Sequence, residues 1–153
     1  MKTYLAFYCG RKTINKPIDL LYRFIDFLIR IFTGGKFSHV EIAVLTDSGF
    51  MCYSSSGRDG GVRKKLIDVN NDNWVLLEID ETQDLEHYLY LTDKAKYDYI
   101  GVLGALLPFI RCSKRYFCSE WVYNAINYQT MIKTGKEVGY RFSPNDLYAL
   151  YLK

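Results

Sequence analysis

The chain has 153 residues, of which 49% are hydrophobic and 16% are aromatic. This composition excludes a chain that is disordered throughout and predicts a single domain, residues 1–153, with a hydrophobic core. The formal net charge of +3 is small and the basic residues are scattered, so we expect no nucleic-acid partner.

Cysteine and histidine usage argues against a metal site. The four cysteines are Cys9, Cys52, Cys112 and Cys118; they form no C-x-x-C pair, and the chain has two histidines. We therefore expect neither zinc nor another cofactor. The first ten residues are too short and too polar for a secretory signal, which favours a cytoplasmic location with free thiols.

The first two elements are predicted to be a strand, residues 3–9, and an amphipathic helix, residues 17–33. Pro17 suits the first helical turn, and Gly34 with Gly35 ends the helix. Its apolar stripe comprises Leu21, Phe24, Ile25, Leu28, Ile31 and Phe32. We expect this stripe to pack on the core.

Charged residues within the same helix limit its relation to a membrane. They are Asp19, Arg23, Asp26 and Arg30. Four charges argue against a membrane span. A helix lying on a membrane surface is an alternative that the mixed signs disfavour. Such a helix would bind anionic vesicles through Arg23 and Arg30.

Residues 37–46 alternate with a period of two, which predicts a strand. Ser38, Val40, Ile42 and Val44 share one face, and His39, Glu41, Ala43 and Leu45 share the other. A histidine and a carboxylate on one largely apolar face need polar partners, because an unpaired buried charge is costly. A structural pair or an exposed sheet edge would also explain them.

The remaining pattern predicts three strands and then four helices. The strands cover residues 50–55, 62–69 and 74–79. The helices cover residues 82–91 with Thr82 as cap, 97–107, 118 to about 129, and a C-terminal helix capped by Ser143 with Pro144 in its first turn. This order predicts an α+β fold in which an antiparallel sheet packs against a helical part.

The helix that begins near Cys118 has an apolar stripe at helical spacing, formed by Trp121, Val122, Ala125 and Ile126. Cys118 is predicted to lie in its first turn, where unpaired N–H groups and the helix dipole favour the nucleophilic thiolate. A buried cysteine is more often a small hydrophobic residue, so catalysis needs a base. If this helix packs on the sheet, the thiol would face the imidazole of His39 within hydrogen-bonding reach. The other three cysteines are expected to be core or surface thiols.

Five short motifs occur in an order that resembles a known family. They are FSHVEIA at 37–43, YSS at 53–55 with GVR at 61–63, YDYIG at 97–101, FCSEWV at 117–122 and SPNDL at 143–147. Together they resemble the circularly permuted papain-fold group of the NlpC/P60 superfamily, which has YiiX/YebB-like, poxvirus and tailed-phage members. The resemblance implies a cysteine hydrolase of amide or ester bonds, with Cys118 as nucleophile and His39 as general base. A phage-encoded protein would act in the cytoplasm of its bacterial host.

The third catalytic position is where the chain departs from the family. Bacterial relatives resemble Tyr-Glu-Ala where this chain has Tyr53-Ser54-Ser55. Either Ser54 orients the ring weakly or Glu41 takes the role, and we favour Glu41. The two residues are about 6–7 Å apart along the strand, so their side chains must lean together. The backbone N–H of Cys118 is the expected oxyanion donor.

Three functions remain open from the sequence. The first is a thiol peptidase, amidase or ester hydrolase acting on a peptide, amide or acyl-ester substrate; acyl transfer would use the same residues. The second is a binding or virion-associated protein that keeps the fold without turnover, which the missing glutamate favours. The third is a membrane-surface lipid acyl hydrolase or transferase. The oligomeric state is open.

Overall fold

A mixed β-sheet with helices packed on it makes the fold α+β, as the order of elements predicted. The computed structural model describes residues 2–11, 14–80, 82–99 and 115–152. Within these ranges seven strands form one sheet in the order β5-β1-β2-β3-β4-β6-β7. They are β1 (Thr3–Tyr8), β2 (His39–Thr46), β3 (Gly49–Ser56), β4 (Gly61–Leu66), β5 (Trp74–Ile79), β6 (Lys96–Tyr97) and β7 (Arg115–Tyr116).

The prediction of a purely antiparallel sheet is wrong at one edge of the sheet. The pairings among the five longer strands are antiparallel, but the two-residue strands β6 and β7 pair in parallel. Parallel strands need a crossover of about a dozen residues or more, and residues 98–114 separate these two strands. Strand β4 reaches β6 through the pairing of Gly61 with Lys96.

Five α-helices lie within the described residues. They are α1 (Pro17–Phe32), α2 (Leu85–Thr92), α3 (Cys118–Ile126), α4 (Tyr128–Thr134) and α5 (Pro144–Tyr151). The cap predicted for α5 is confirmed. Ser143 Oγ accepts a hydrogen bond from the N–H of Asp146, and the Asp146 carboxylate accepts one from the N–H of Ser143. This reciprocal pair satisfies N–H groups that a helix start leaves open.

Two predicted helix boundaries are wrong. Helix α2 begins at Leu85 after Asp84, whose backbone is left-handed with φ +60°, so Thr82 is not its cap. The predicted helix from Cys118 to about residue 129 is two helices, because Asn127 ends α3 and its side chain donates to the carbonyl of Tyr123 (2.9 Å). The predicted helix 97–107 begins where the structure has β6, and residues 100–107 lie outside the described residues.

The main core lies between α3 and one face of the sheet. Its central residues are Leu5, Phe7, Val40, Ile42, Trp121, Val122 and Ala125. Seven of the nine residues of α3 are buried. A smaller apolar cluster on the other face contains Ala6, Ala43, Cys52 and Val69. The stripe predicted at Trp121, Val122 and Ala125 is therefore the buried face of a core helix.

Helix α1 contradicts the prediction that its apolar stripe packs on the core. It contains no buried residue, and Phe24 and Phe27 are each 55% exposed. Polar side chains hold the helix instead. Arg30 donates to the carbonyl of Gly10 (2.8 Å) and Asp26 accepts from Arg58 (3.3 Å). The periodicity identified the helix correctly but not which face meets the protein.

Candidate active site

Cys118 is the first residue of α3, as the sequence predicted. The preceding residue, Phe117, is the N-cap and has extended backbone but no side-chain capping bond. The sheet edge fixes the approach to this helix, because the carbonyl of Tyr116 in β7 accepts bonds from Ser55 Oγ (2.6 Å) and from the N–H of Asp98 (3.1 Å). Cys118 therefore lies where the sheet edge ends and the helix begins. The residue is 2% exposed.

His39 and Glu41 meet on strand β2. His39 is the first residue of the strand and pairs with Tyr8 of β1. Its Nε2 lies 2.7 Å from Glu41 Oε1, so the two side chains do lean together. Glu41 occupies Nε2, so Nδ1 is the ring nitrogen left for Cys118, which is close enough to His39 to raise its pKa. The structure therefore brings the three predicted site residues into one chain of contacts.

The surroundings of His39 favour its charged form. Burial lowers the pKa of His39, but the charges of Cys118 and Glu41 and their hydrogen bonds outweigh it and raise the pKa to about 10. Near neutral pH the ring of His39 is therefore an imidazolium, with Glu41 at its Nε2 and Cys118 nearby.

Arg63 is a site residue that the sequence reasoning did not single out. It donates two hydrogen bonds to Glu41, Nη2 to Oε1 (2.5 Å) and Nη1 to Oε2 (2.6 Å), and its Nε donates to Asp59 Oδ2 (2.9 Å). Burial raises the pKa of Glu41, but the hydrogen bonds from Arg63 and the charge of His39 outweigh it and lower the pKa. Glu41 is 1% exposed. The paired hydrogen bonds from the Arg63 guanidinium explain how a negative charge is stabilised at this buried position.

A buried glutamate needs a cation, and that need was the available signal for Arg63. The basic run at 63–65 is visible in the sequence. What it did not reveal was which of the three side chains turns inward. In the structure Lys64 and Lys65 are exposed, whereas Arg63 is only partly exposed.

Ser54 does not contact the ring of His39. Its hydroxyl donates to the carbonyl of Val40 (2.8 Å) and the residue is fully buried. Strand β3 places Ser54 opposite Arg63 of β4, and the pairing of Ile42 with Tyr53 continues to bring position 54 beside Glu41. The small serine lies between these two residues and leaves room for the guanidinium to reach the carboxylate. Of the two candidates for orienting the ring, the structure places Glu41 in contact.

A cleft of about 660 Å³ opens beside His39. Its described lining residues include His39, Glu41, Arg63, Tyr97 and, from α1, Ile25 and Asp26. Cys118 is not among the described residues that line the cleft. Burial raises the pKa of Asp26, partly offset by the charge of His39. Burial and the charge of Cys118 raise the pKa of Tyr97, so a neutral hydroxyl, able to donate, lies near the thiol.

The other candidate thiols lie away from this cluster. Cys9 Sγ donates to the carbonyl of Asp72 (3.7 Å), and Cys52 is buried in the second apolar cluster. Burial raises the pKa of Cys52 to about 12. Cys112 lies outside the described residues. His87 packs against the ring of Tyr128 at 5.9 Å between centroids.

Neither a metal cluster nor a membrane span is found in the part of the chain that the structure describes. In residues 2–11, 14–80, 82–99 and 115–152, no three His, Cys, Asp or Glu side chains are grouped to hold a metal ion. Among the same residues no helix has both the length and the apolar character needed to cross a bilayer.

Comparison with known proteins found no family model that matches the chain and no curated protein with a significant match.

Proposed function

We propose that the protein is a thiol hydrolase that cleaves an amide or acyl-ester bond. Cys118 is the nucleophile, His39 the general base and acid, and Glu41 the residue that orients the ring. The main support is one observation: the imidazole of His39 contacts Glu41 through Nε2 (2.7 Å) and is close enough to Cys118 for the thiol to raise its pKa. A nucleophile, a base and an orienting group in series are the arrangement that activates a weak nucleophile.

The first chemical step forms an acyl-enzyme. The Sγ of Cys118, as thiolate, attacks the carbonyl carbon of the substrate, and the carbonyl oxygen takes up the negative charge. The N–H of Cys118, at the start of α3, is the donor for that oxyanion. The bond to the leaving nitrogen or oxygen then breaks. Imidazolium His39 gives its proton to the leaving amine or alcohol, and the thioester remains on Cys118.

The second step returns the enzyme to its starting state. Neutral His39 takes a proton from water, the hydroxide attacks the thioester carbon, and the carbon–sulfur bond breaks. The products are a carboxylic acid, the thiolate of Cys118 and imidazolium His39. An alcohol or amine in place of water would make the same residues an acyltransferase.

The electrostatics support this cycle without a cofactor. Glu41 carries its negative charge beside the ring at all stages, because Arg63 holds it in the ionised form. A fixed carboxylate on Nε2 keeps the ring in one orientation and stabilises the imidazolium each time it forms.

We place the protein with the circularly permuted papain-like proteins of the NlpC/P60 superfamily. Two features support this placement: His39 precedes Cys118 in the chain, and the helix that begins at Cys118 packs on the sheet that carries His39. In this view the family's glutamate at position 54 has been exchanged for a carboxylate at position 41, one strand away, where it still meets the ring.

The test is the alkylation rate of each cysteine between pH 4 and 10, resolved by peptide mass. We expect Cys118 to react with iodoacetamide at pH 6, where an ordinary thiol, which titrates near 8.5, reacts slowly. His39→Ala should remove that reactivity. His87→Ala is the matched control, because its ring packs on Tyr128 and not on a thiol, and it should leave the rate unchanged.

The same experiment distinguishes the hydrolase from a second candidate, a binding protein that keeps the fold without turnover. The 2% exposure of Cys118 favours that candidate, because a substrate carbonyl must reach the sulfur. If Cys118 is inert at every pH in folded wild-type protein, or reacts equally fast in His39→Ala, the hydrolase proposal is overturned. Labelling of Cys118 by an acyl-ester probe, with loss of that labelling in His39→Ala, would support the acyl-transfer step of the hydrolase proposal.

A further inference from the structure

The outer surface of α1 exposes large apolar side chains along its whole length. Seven of them are more than 45% exposed, namely Ile18, Leu20, Leu21, Phe24, Phe27, Ile31 and Phe32. We call these seven residues the α1 outer face. Water-exposed apolar patches of this kind are uncommon on a monomeric protein and mark surfaces that bind something.

The helix is oriented with its polar side toward the protein. Arg30 donates to the carbonyl of Gly10 (2.8 Å) and to Ser38 Oγ (3.2 Å), and Asp26 accepts from Arg58. At the end of the helix, the side chain of Asn145 donates to Thr33 Oγ1 (2.6 Å). These contacts fix the rotation of the helix about its axis, so the outward position of the apolar side is built into the fold.

The acidic and basic residues around the α1 outer face also differ in their surroundings. Both acidic residues of the helix are engaged within the protein, Asp19 with the N–H groups of Asn15 and Lys16 and Asp26 with Arg58. Of the basic residues on and beside the helix, Arg30 faces the protein, whereas four others are exposed; they are Arg11, Lys16, Arg23 and Lys36. An apolar helix face bordered by exposed cations complements an anionic lipid surface.

We propose that the α1 outer face docks the protein onto the surface of an anionic lipid bilayer, with the helix lying in the plane of the interface. Phe24 and Phe27 enter the acyl boundary, and Arg23 contacts the headgroups. Arg30, which the sequence suggested as a second headgroup contact, is excluded from that role because its guanidinium faces the protein.

The exposed cations beside the face disfavour a second copy of the chain as the occupant. In a symmetric dimer the same patch meets itself, so the two copies would bring like charges together. A bilayer needs no matching partner surface, and its binding grows with buried apolar area and with attraction to anionic lipids.

Docking would also place the candidate site at the interface. The inward side chains Ile25 and Asp26 line the same cleft as His39, so α1 is one wall of that cleft and its outer face would lie on lipid. The docking proposal rests on the contacts and charges of α1 and does not depend on the proposed function.

The test is flotation with vesicles of phosphatidylcholine mixed with phosphatidylglycerol, compared with vesicles of phosphatidylcholine alone. We expect wild-type protein to float with the mixed vesicles. Phe24→Ser combined with Phe27→Ser should weaken that partitioning by about tenfold or more. Arg23→Gln should weaken it by about fivefold.

The matched control is Leu91→Ser combined with Leu150→Ser, on α2 and α5. Each of these leucines is 55% exposed, as Phe24 and Phe27 are, so the control removes apolar surface elsewhere and should float like wild type. Circular dichroism and the alkylation rate of Cys118 in each variant report whether the fold and the candidate site are intact.

Three outcomes would overturn the proposal. They are absence of flotation in folded wild-type protein, equal flotation with both kinds of vesicle, and equal loss in the phenylalanine and leucine variants. A dimer in sedimentation equilibrium that the phenylalanine variant dissociates, together with no flotation, would assign the face to a second copy. Reactive Cys118 in protein that does not float would overturn docking and leave the hydrolase proposal standing.

Discussion

Helices α1 and α3 have similar apolar periodicity but opposite surroundings. Helix α3 buries seven of its nine residues against the sheet, whereas α1 buries none of its 16. Periodicity therefore shows that a helix has an apolar side, but not what covers that side. In α3 the cover is the sheet of this chain. For α1 we propose that it is a lipid surface.

The difference between the two helices follows from what connects each of them to the sheet. Helix α3 starts directly after β7, so its first residue, Cys118, is placed by the sheet edge, and Trp121 follows into the core. Helix α1 is attached by polar side chains such as Arg30 and Asp26. One helix adds to the core, and the other adds a wall to the cleft and an outer surface.

The largest expected effect comes from truncating the buried face of α3. Trp121 is fully buried, and its Nε1 donates to Thr92 Oγ1 (2.9 Å). Trp121→Ala should lower the free energy of unfolding by about 3–5 kcal/mol, because it removes buried area, leaves a cavity and leaves Thr92 without this donor. Urea unfolding followed by circular dichroism measures it. A loss below 1 kcal/mol would contradict the described core.

A smaller effect is expected from the carboxylates that lie near each helix. Glu41→Gln, which is linked to α3 through His39 and Cys118, should cost about 2–3 kcal/mol, because the partly buried Arg63 loses its charged partner. Asp26→Asn, on α1, is the matched control. Burial raises the pKa of Asp26, so its charge is disfavoured by the fold, and the change should stay within about 0.5 kcal/mol.

Acid unfolding gives the same contrast with a defined sign. The pKa of Glu41 is lowered from its ordinary value of 4.5, so its contribution to stability is complete above pH 4.5 and is lost as the pH falls through the lower folded-state value. Wild-type protein should therefore lose stability below about pH 4.5 more steeply than Glu41→Gln does. Parallel curves for the two proteins would show that Glu41 is not held ionised.

The smallest effect is expected on the outer face of α1. Phe24→Ala should change the free energy of unfolding by less than about 0.5 kcal/mol, because the side chain is exposed and leaves no cavity. The same urea experiment measures it beside Trp121→Ala. A cost of 2 kcal/mol or more would mean that Phe24 is covered by protein, and the contrast between the two helices would disappear.

Local patterns in the sequence determined much of the fold and part of the candidate site. Alternation placed His39 and Glu41 on one face of a strand, helical spacing found α1 and α3 with Cys118 at the start of α3, and Ser143 was recognised as a cap. These features depend on residues a few positions apart, whose relation is set by the geometry of one strand, one helix or one turn.

The tertiary structure alone decided what each element meets. It placed Arg63 on Glu41 and Ser54 on the carbonyl of Val40, and it turned the apolar side of α1 away from the core. The physical reason is that such contacts join residues far apart in the chain. Strand register selects which side chain of the basic run reaches the carboxylate, and distant polar partners set the rotation of a helix. Apolar spacing, which is the same for a core helix and a surface helix, carries neither kind of information.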